Sequence, residues 1–520
     1  MSLTLSGPPV RTAAPAPPFP ATPPSGRRRP SLDTWIRIGL VVAAVTVQAV
    51  NIAGFPALGD DEGTYLAQAW AVQEGLGLAH YTYWYDHPPV GWLQLAALSW
   101  IPALLLPEHL AVGNGRVVML VFTAVSVALL YTLARRLTLP RWAAALAGLL
   151  FTLSPLAVTL QRQIYLDNIA VSWMLAAMVL AVSPRRYLWH HAAAGFCAAV
   201  AVLSKETMLI ALPALLVLLW QGTHPATRKF SLVGFAALFG LTGVLYPLFA
   251  LLRTELLPGA DHVSLVDGIA FQLTRPGSGT FLDADSGARL IVESWLYYDA
   301  ILVVAGLACA VGALAIRTMR GPALAVLLFA VMAMRPGYLP GMYVVQALPF
   351  LALCIAGVAA AVVGFVLTYR ARPDTTGRLL RGGAVAVLAA GAIALVVPPW
   401  VAGDRTAMTA DLNDNVHAAV AHLAAMPDPQ GTNVIVDDAI WLDLVRAGYR
   451  PGDGAVWFYK LDLDPAVTIP GGVHYVVSTP IIRASTTGLP RVVRALENSV
   501  PVATFGAGGD RVEIRRVLEP

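Results

Sequence analysis

The stretch WIRIGLVVAAVTVQAVNIAGF, residues 35–55, is followed closely by GDDEGTY, residues 59–65. The first piece carries a single charge, Arg37, and is long enough to cross a bilayer as a helix, which takes about 20 apolar residues. The second places three carboxylates, Asp60, Asp61 and Glu62, where that helix ends. Like charges gathered at a membrane edge cost free energy and serve no packing purpose, so they point to chemistry. The first piece decides the fold class, and the second shows where function sits.

Working outward, the chain is 57% apolar and only 13% charged, with a mean hydropathy of +0.65. Membrane-length apolar runs recur near 115–134, 142–160, 165–183, 190–204, 207–221, 230–252, 299–316, 322–334, 344–368 and 382–401, after a first span at 36–56. The fold class is therefore an all-α polytopic membrane protein with about 11 transmembrane helices. Residues 1–34, rich in Pro, Ala and Ser, read as a disordered N-terminus. The run at 35–55 is too long for a signal-peptide core and lacks a small-residue cleavage site, so it is expected to stay as the first helix. Cys197, Cys309 and Cys354 all fall in apolar runs without CxxC spacing, which implies neither a disulfide framework nor a metal cluster.

The net charge of +4 comes mainly from arginines beside helix ends, which reads as topology and not as nucleic-acid binding. Arg27–Arg29 and Arg37 place the N-terminus in the cytoplasm. The basic loops at Arg135-Arg136-Arg141, Arg185-Arg186, Arg228-Lys229, Arg317-Arg320 and Arg370–Arg381 join it there only if residues 57–114 form one external loop. The apolar stretch 88–106, interrupted by Pro102 and Pro107, is then an interfacial helix. Residues 35–402 form the transmembrane domain with external loops 57–114 and 253–298, the latter read as a lid that folds over the site. From residue 403 the apolar runs shorten, and 403–520 read as a small extracytoplasmic α/β domain. Its strands are expected at 433–436, 474–478, 502–505 and 511–517, with helices at 411–426, 440–447 and 491–498. Asp437-Asp438, at a strand end, reads as a helix N-cap in preference to a ligand site. The localisation expected is the plasma membrane, multi-pass.

On that topology the unusual polar residues share the outer face. They are Asp60–Glu62, the aromatic run 80–89 with Tyr83, Trp84, Tyr85 and His87, the segment Arg162 to Asp167, Lys205-Glu206, and Arg335 to Tyr343. Carboxylates can take a proton from a hydroxyl or hold a divalent cation. Lys205 and Arg335 can bind a phosphate and stabilise negative charge as it leaves. Aromatics can stack on a sugar ring, although Trp and Tyr also populate any membrane interface. A base, an anion clamp and aromatics at the outer leaflet suit group transfer from a lipid-phosphate donor.

These residues resemble the GT-C membrane glycosyltransferases of the protein O-mannosyltransferase and lipid A aminoarabinose transferase superfamily. The matching pieces are Asp61-Glu62 followed by Tyr65, His87-Pro88-Pro89 ahead of an apolar helix, and Arg162 and Asp167 in an R-x-x-x-L-D pattern. Leu203-Ser204-Lys205 and Arg335 with Tyr338-Leu339-Pro340 complete the set, which covers most of residues 36–368. The resemblance implies inverting transfer of a hexosyl or pentosyl group, such as mannose, from a polyprenyl-phosphate sugar to an acceptor hydroxyl. The acceptor is a glycan (of the cell wall, for instance), a protein or a lipid. It implies Asp61 as general base, with Asp60 able to share the role, and Asp167 orienting the acceptor or sharing a metal ion with Asp61 and Glu62. Lys205 and Arg335 would hold the leaving phosphate, and Arg162 would position Asp167. Glu62, Tyr65, Tyr85, His87 and Tyr338 would line the substrate site. Glu206 departs from the neutral residue expected after the lysine, and its ion pairing would weaken Lys205 as a clamp. A divalent metal ion is the sole cofactor in question. The C-terminal domain falls outside the resemblance.

Two other classes fit the composition. A transporter or flippase of lipid-linked sugars would place charges near the bilayer midplane and carry internal repeats, and none is visible here. A non-catalytic subunit of a glycan assembly complex would tolerate loss of Asp61.

Overall fold

The computed structural model describes residues 30–78, 81–107, 109–259, 262–368, 375–464 and 466–518. Most of the segment expected to be disordered, and the basic residues Arg27–Arg29 and Arg370–Arg372, lie outside these. Its last residues do not: helix Leu32–Ala49 begins at Leu32, where Ser31 Oγ accepts the Thr34 amide as an N-cap.

A helix stands at each of the eleven expected spans. Seven are long and apolar enough to cross a membrane: Leu32–Ala49, Ala111–Arg136, Arg228–Leu252, Gly287–Ala313, Arg317–Met334, Gly341–Thr368 and the long helix Thr375–Thr409. An eighth is the pair Arg141–Leu153 and Pro155–Arg162, bent by 61° at Ser154. Pro155 has no amide hydrogen to continue the first helix and starts the second at its first turn. The other three, Leu166–Ala181, Leu188–Ser204 and Glu206–Gly222, are shorter apolar helices. They pack side by side, and the Leu188–Ser204 helix is sandwiched by Leu166–Ala181 and Arg228–Gly243. The helix Gly287–Ala313 starts earlier than the expected 299, with a break in helical geometry at Asp299. This is a multi-pass membrane protein.

The stretch 88–106 forms two short helices, Val90–Leu98 and Trp100–Leu105, hinged at Ser99. Val90–Leu98 lies against the helix Asp60–Gln73, where Gln73 Nε2 donates to Ala96 O (2.7 Å) and Ser99 Oγ (3.1 Å), and Trp100–Leu105 packs on Ala111–Arg136.

The C-terminal domain is a five-stranded sheet in the order β2-β1-β3-β5-β4 with helices packed against it. The strands are β1 Val434–Val436, β2 Ala455–Trp457, β3 Tyr475–Ser478, β4 Ser499–Phe505 and β5 Val512–Val517. β1 pairs in parallel with β2 and β3, and β5 runs antiparallel to β3 and β4. Strand β2 was not expected from sequence, and the boundary expected at residue 403 falls inside a helix that runs on to Thr409. Asp437 does hold the N-cap position of helix Asp438–Arg446, but its Oδ2 accepts from the Thr479 hydroxyl at 2.5 Å.

This domain shares a hydrophobic core with residues between Leu58 and Val112. Trp441 and Trp457 pack with Tyr65, Leu66, Tyr83 and Trp92 in one buried cluster. Tyr81 stacks on Trp441 with ring centroids 5.8 Å apart, and its hydroxyl oxygen accepts the Trp457 amide at 2.9 Å. Gly63 lies so close to helix Asp438–Arg446 that an added Cβ would sit 2.0 Å from Asp438 O.

Candidate active site

Asp60, Asp61 and Glu62 form the first turn of helix Asp60–Gln73, where the helix dipole favours negative charge. Successive residues on an α-helix point about 100° apart, so three adjacent carboxylates face three ways. Asp60 is exposed, Asp61 is partly accessible and Glu62 is fully buried. Each has its own environment and its own task.

Glu62 is a structural group. Arg116 grips it in a forked pair, Nε to Oε1 at 2.8 Å and Nη2 to Oε2 at 2.6 Å, with both side chains inaccessible. Glu62 also accepts the Ile164 amide (3.0 Å) and the Gly59 amide (3.1 Å), while Arg116 donates to the carbonyls of Ile52, Pro56 and Ala57. This corrects the expectation that Glu62 touches substrate or metal. Arg116 itself was missed, although a lone arginine inside the apolar run 111–134 is a recognisable signal of a buried partner.

Asp61 faces the second cluster. Burial, then the neighbouring Asp60 charge, raise its pKa to about 6, and Lys205 pulls against that shift. Asp167, in the first turn of helix Leu166–Ala181, is 1% exposed and accepts Gln346 Nε2 at 2.6 Å. Gln346, which sequence reading passed over, also donates to Thr207 Oγ1 at 2.5 Å. Lys205 caps the end of helix Leu188–Ser204 and is nearly buried, with its Nζ 2.9 Å from His87 Nε2. Burial alone would lower its pKa, but Glu206, Asp167, Asp61 and Asp86 outweigh it and hold the ammonium above its ordinary value. Glu206 pairs with His87 Nδ1 at 3.0 Å. Asp86, also missed, is pushed up mainly by burial, and Gln68 Nε2 donates to both its oxygens at 3.3 and 3.4 Å. Tyr65, buried one turn after Asp61, packs its ring 6.1 Å from that of His87.

Three expected site residues sit elsewhere. Arg162 donates to Val47 O (2.8 Å) and Ala407 O (2.9 Å) and has Asp404 as its neighbouring carboxylate, so the expectation that it positions Asp167 is corrected. Tyr85 is buried, adopts a left-handed backbone (φ 61°) and donates to Glu255 Oε2 at 2.5 Å. It ties the aromatic run to the loop after residue 252 and offers no open stacking face. Arg335 is exposed at the end of helix Arg320–Met334. Near it, Tyr338 is 42% exposed and covered by the Arg275 guanidinium, 3.7 Å from the ring centre. Tyr338 lies within electrostatic reach of Asp61, Asp60 and Lys205.

The residues do not fit the expected metal ion. Both Glu62 oxygens are taken by Arg116 and backbone amides, and the Lys205 ammonium supplies positive charge between Asp61 and Asp167. Among the described residues no three His, Cys, Asp or Glu side chains are grouped to hold a metal. An apolar cavity of about 180 Å³ opens below the Arg335 loop, lined by Trp295, Phe329, Met334, Tyr343 and Leu351.

The fold is that of GT-C membrane proteins, and the chain is similar to the protein O-mannosyltransferase and lipid A aminoarabinose transferase superfamily. Residues 86–246 match the family described as dolichyl-phosphate-mannose-protein mannosyltransferase. The structure is similar to that of ArnT from Cupriavidus metallidurans bound to undecaprenyl phosphate, with TM-score 0.57, 14% identity, and 94% of this chain and 99% of that chain covered. The apo state of the same protein gives TM-score 0.55 at 16% identity, covering 93% and 98%. The Archaeoglobus fulgidus oligosaccharyltransferase in complex with Zn and sulfate gives TM-score 0.51 at 14% identity, covering 90% and 72%. No curated protein sequence matches this chain. The ArnT coverage corrects one expectation: at the level of fold, the likeness takes in the C-terminal domain as well.

Proposed function

We propose that this chain is a glycosyltransferase that moves a sugar, with inversion, from a polyprenyl-phosphate donor to an acceptor hydroxyl at the outer face of the plasma membrane. The observation that carries this reading is a partly accessible carboxylate, Asp61, with its pKa near neutrality, in electrostatic reach of a buried ammonium, Lys205. A general base works best when its pKa lies near the working pH, and Asp61 meets that condition. The acceptor oxygen bonds to the anomeric carbon, its proton passes to Asp61, and the bond from that carbon to the phosphate oxygen breaks. The electron pair leaves with polyprenyl phosphate, whose growing charge Lys205 offsets. Phosphate is a good enough leaving group that no general acid is needed. Partial burial favours Asp61 over the exposed Asp60 as the base.

The apolar cavity below Arg335 supports placing the prenyl chain there, with Arg335 meeting the phosphate as donor enters. The loop 253–298 supports a lid role through Gln272 Nε2 to Asp86 O (2.8 Å) and Ser278 N to Gly337 O (2.8 Å), which bridge both sides of the cleft. The arginine-rich loops support a cytoplasmic N-terminus and an external C-terminal domain.

The test is sugar release from radiolabelled polyprenyl-phosphate donors in proteoliposomes. Asp61→Asn should lower donor consumption by about a hundredfold or more, the usual contribution of a general base. Donor left intact by the wild type across a broad donor and acceptor panel would move the reading to a flippase or a non-catalytic subunit.

A further inference from the structure

Lys205 does not stand alone in the cleft. Its Nζ lies 2.9 Å from His87 Nε2, and on the far side of the imidazole His87 Nδ1 lies 3.0 Å from Glu206 Oε2. A charged lysine has three donors and no acceptor, and an ionised carboxylate only accepts. Only one form of the ring satisfies both contacts: neutral imidazole with its hydrogen on Nδ1, donating to Glu206, and its Nε2 lone pair accepting from Lys205. Asp86 from the same loop, Asp61 and Tyr65 from helix Asp60–Gln73, and Asp167 from helix Leu166–Ala181 also face this cluster and would favour a charged ring. It is the Lys205 ammonium against Nε2 that leaves no room for a second hydrogen there.

Resting on the reading of Lys205 as the phosphate clamp, we infer that Glu206 and His87 form a relay that aims the lysine. Glu206 selects the tautomer of His87, and His87 anchors one of the three ammonium hydrogens. The long lysine side chain is thereby fixed before substrate arrives, with its remaining hydrogens free for the phosphate. The same logic orients metal-bound histidines through a carboxylate, here with an ammonium in place of the metal. His87 and Glu206 are thus positioning residues. Glu206, expected to weaken the clamp by pairing with Lys205, meets His87 and acts through it.

The experiment measures the affinity of the full chain, in lipid nanodiscs, for undecaprenyl phosphate. Lys205→Ala should weaken binding by about tenfold, the value of one charge-assisted hydrogen bond. His87→Phe, which removes the acceptor, should cost a similar factor. His87→Gln, whose side-chain oxygen can take the place of Nε2, should recover part of the loss. Glu206→Gln should show a smaller loss, and neither His87→Phe nor Glu206→Gln should weaken binding further in the Lys205→Ala background. Should His87→Phe fail to fold, the Glu206→Gln pair decides the same question. Losses that add in the double variants, or a wild-type affinity in both single variants, would overturn the relay while leaving Lys205 as the clamp. Undiminished binding by Lys205→Ala alone would overturn the clamp, and the relay with it.

Discussion

At the scale of single residues, the three adjacent carboxylates separate into an exposed group, a titrating group and a structural one, and each makes its own prediction. With Asp61 near pKa 6, donor consumption should fall as the pH drops through about 6, because the proton-accepting form is lost. Asp61→Asn should abolish that limb along with the rate, as a pH series from 4.5 to 8 would show. Glu62→Gln should act through stability: breaking one side of a buried ion pair costs about 3–5 kcal/mol. A lowered thermal midpoint is therefore expected, and a wild-type midpoint with lost activity would return Glu62 to the substrate site. The pair was not legible in the sequence because Arg116 stands 54 positions from Glu62. Gln346 was hidden for the same reason, 179 positions from Asp167. By contrast Asp61, Asp167, His87 and Lys205 stood out because polar groups at the ends of apolar runs are costly without a purpose.

At the scale of elements, the helix Asp60–Gln73 carries the proposed base and is pinned from behind by helix Asp438–Arg446. Gly63 makes this approach possible, since a Cβ there would press on backbone atoms that cannot yield. Gly63→Ala should lower the thermal midpoint, at a cost of about 1–3 kcal/mol of overpacking, and reduce donor consumption. Gly240→Ala, with nothing within 4 Å of the added carbon, serves as the control and should be neutral or slightly stabilising. The membrane helices were legible because each is a long apolar run closed by charge, proline or glycine. Helix Asp414–Ala424 was legible from its apolar stripe. Strand β2 was not: it has three residues, all buried, and so shows no alternation to read. The boundary expected at residue 403 follows the return of charge at Asp404 and Arg405, whereas the helix continues to Thr409.

At the scale of the whole molecule, buried carboxylates gather where the C-terminal domain meets the membrane part. Asp438 accepts from Thr64 Oγ1 (2.5 Å) and Tyr459 (3.1 Å), and Asp443 accepts the Ala111 amide (2.8 Å). Burial first, and in part neighbouring acids, raise Asp437 to about 6 and Asp443 to about 7. A carboxylate raised on folding binds its proton more tightly in the folded state, so its stabilisation is complete below the unfolded pKa near 4 and fades as the pH rises through 6–7. Thermal midpoints should therefore decline between about pH 4 and 7, and Asp443→Asn, which keeps the amide contact, should flatten the decline. An unchanged slope in that variant would remove Asp443 as its source. The junction where Tyr81 lies between Trp441 and Trp457 also bears on how such a chain can evolve. A domain that completes the core beneath a reactive helix is not a detachable cassette. Exchange with a relative's domain would have to carry Gly63, Thr64 and Tyr81 along with it, so this domain should diverge by substitution within it and not by wholesale replacement.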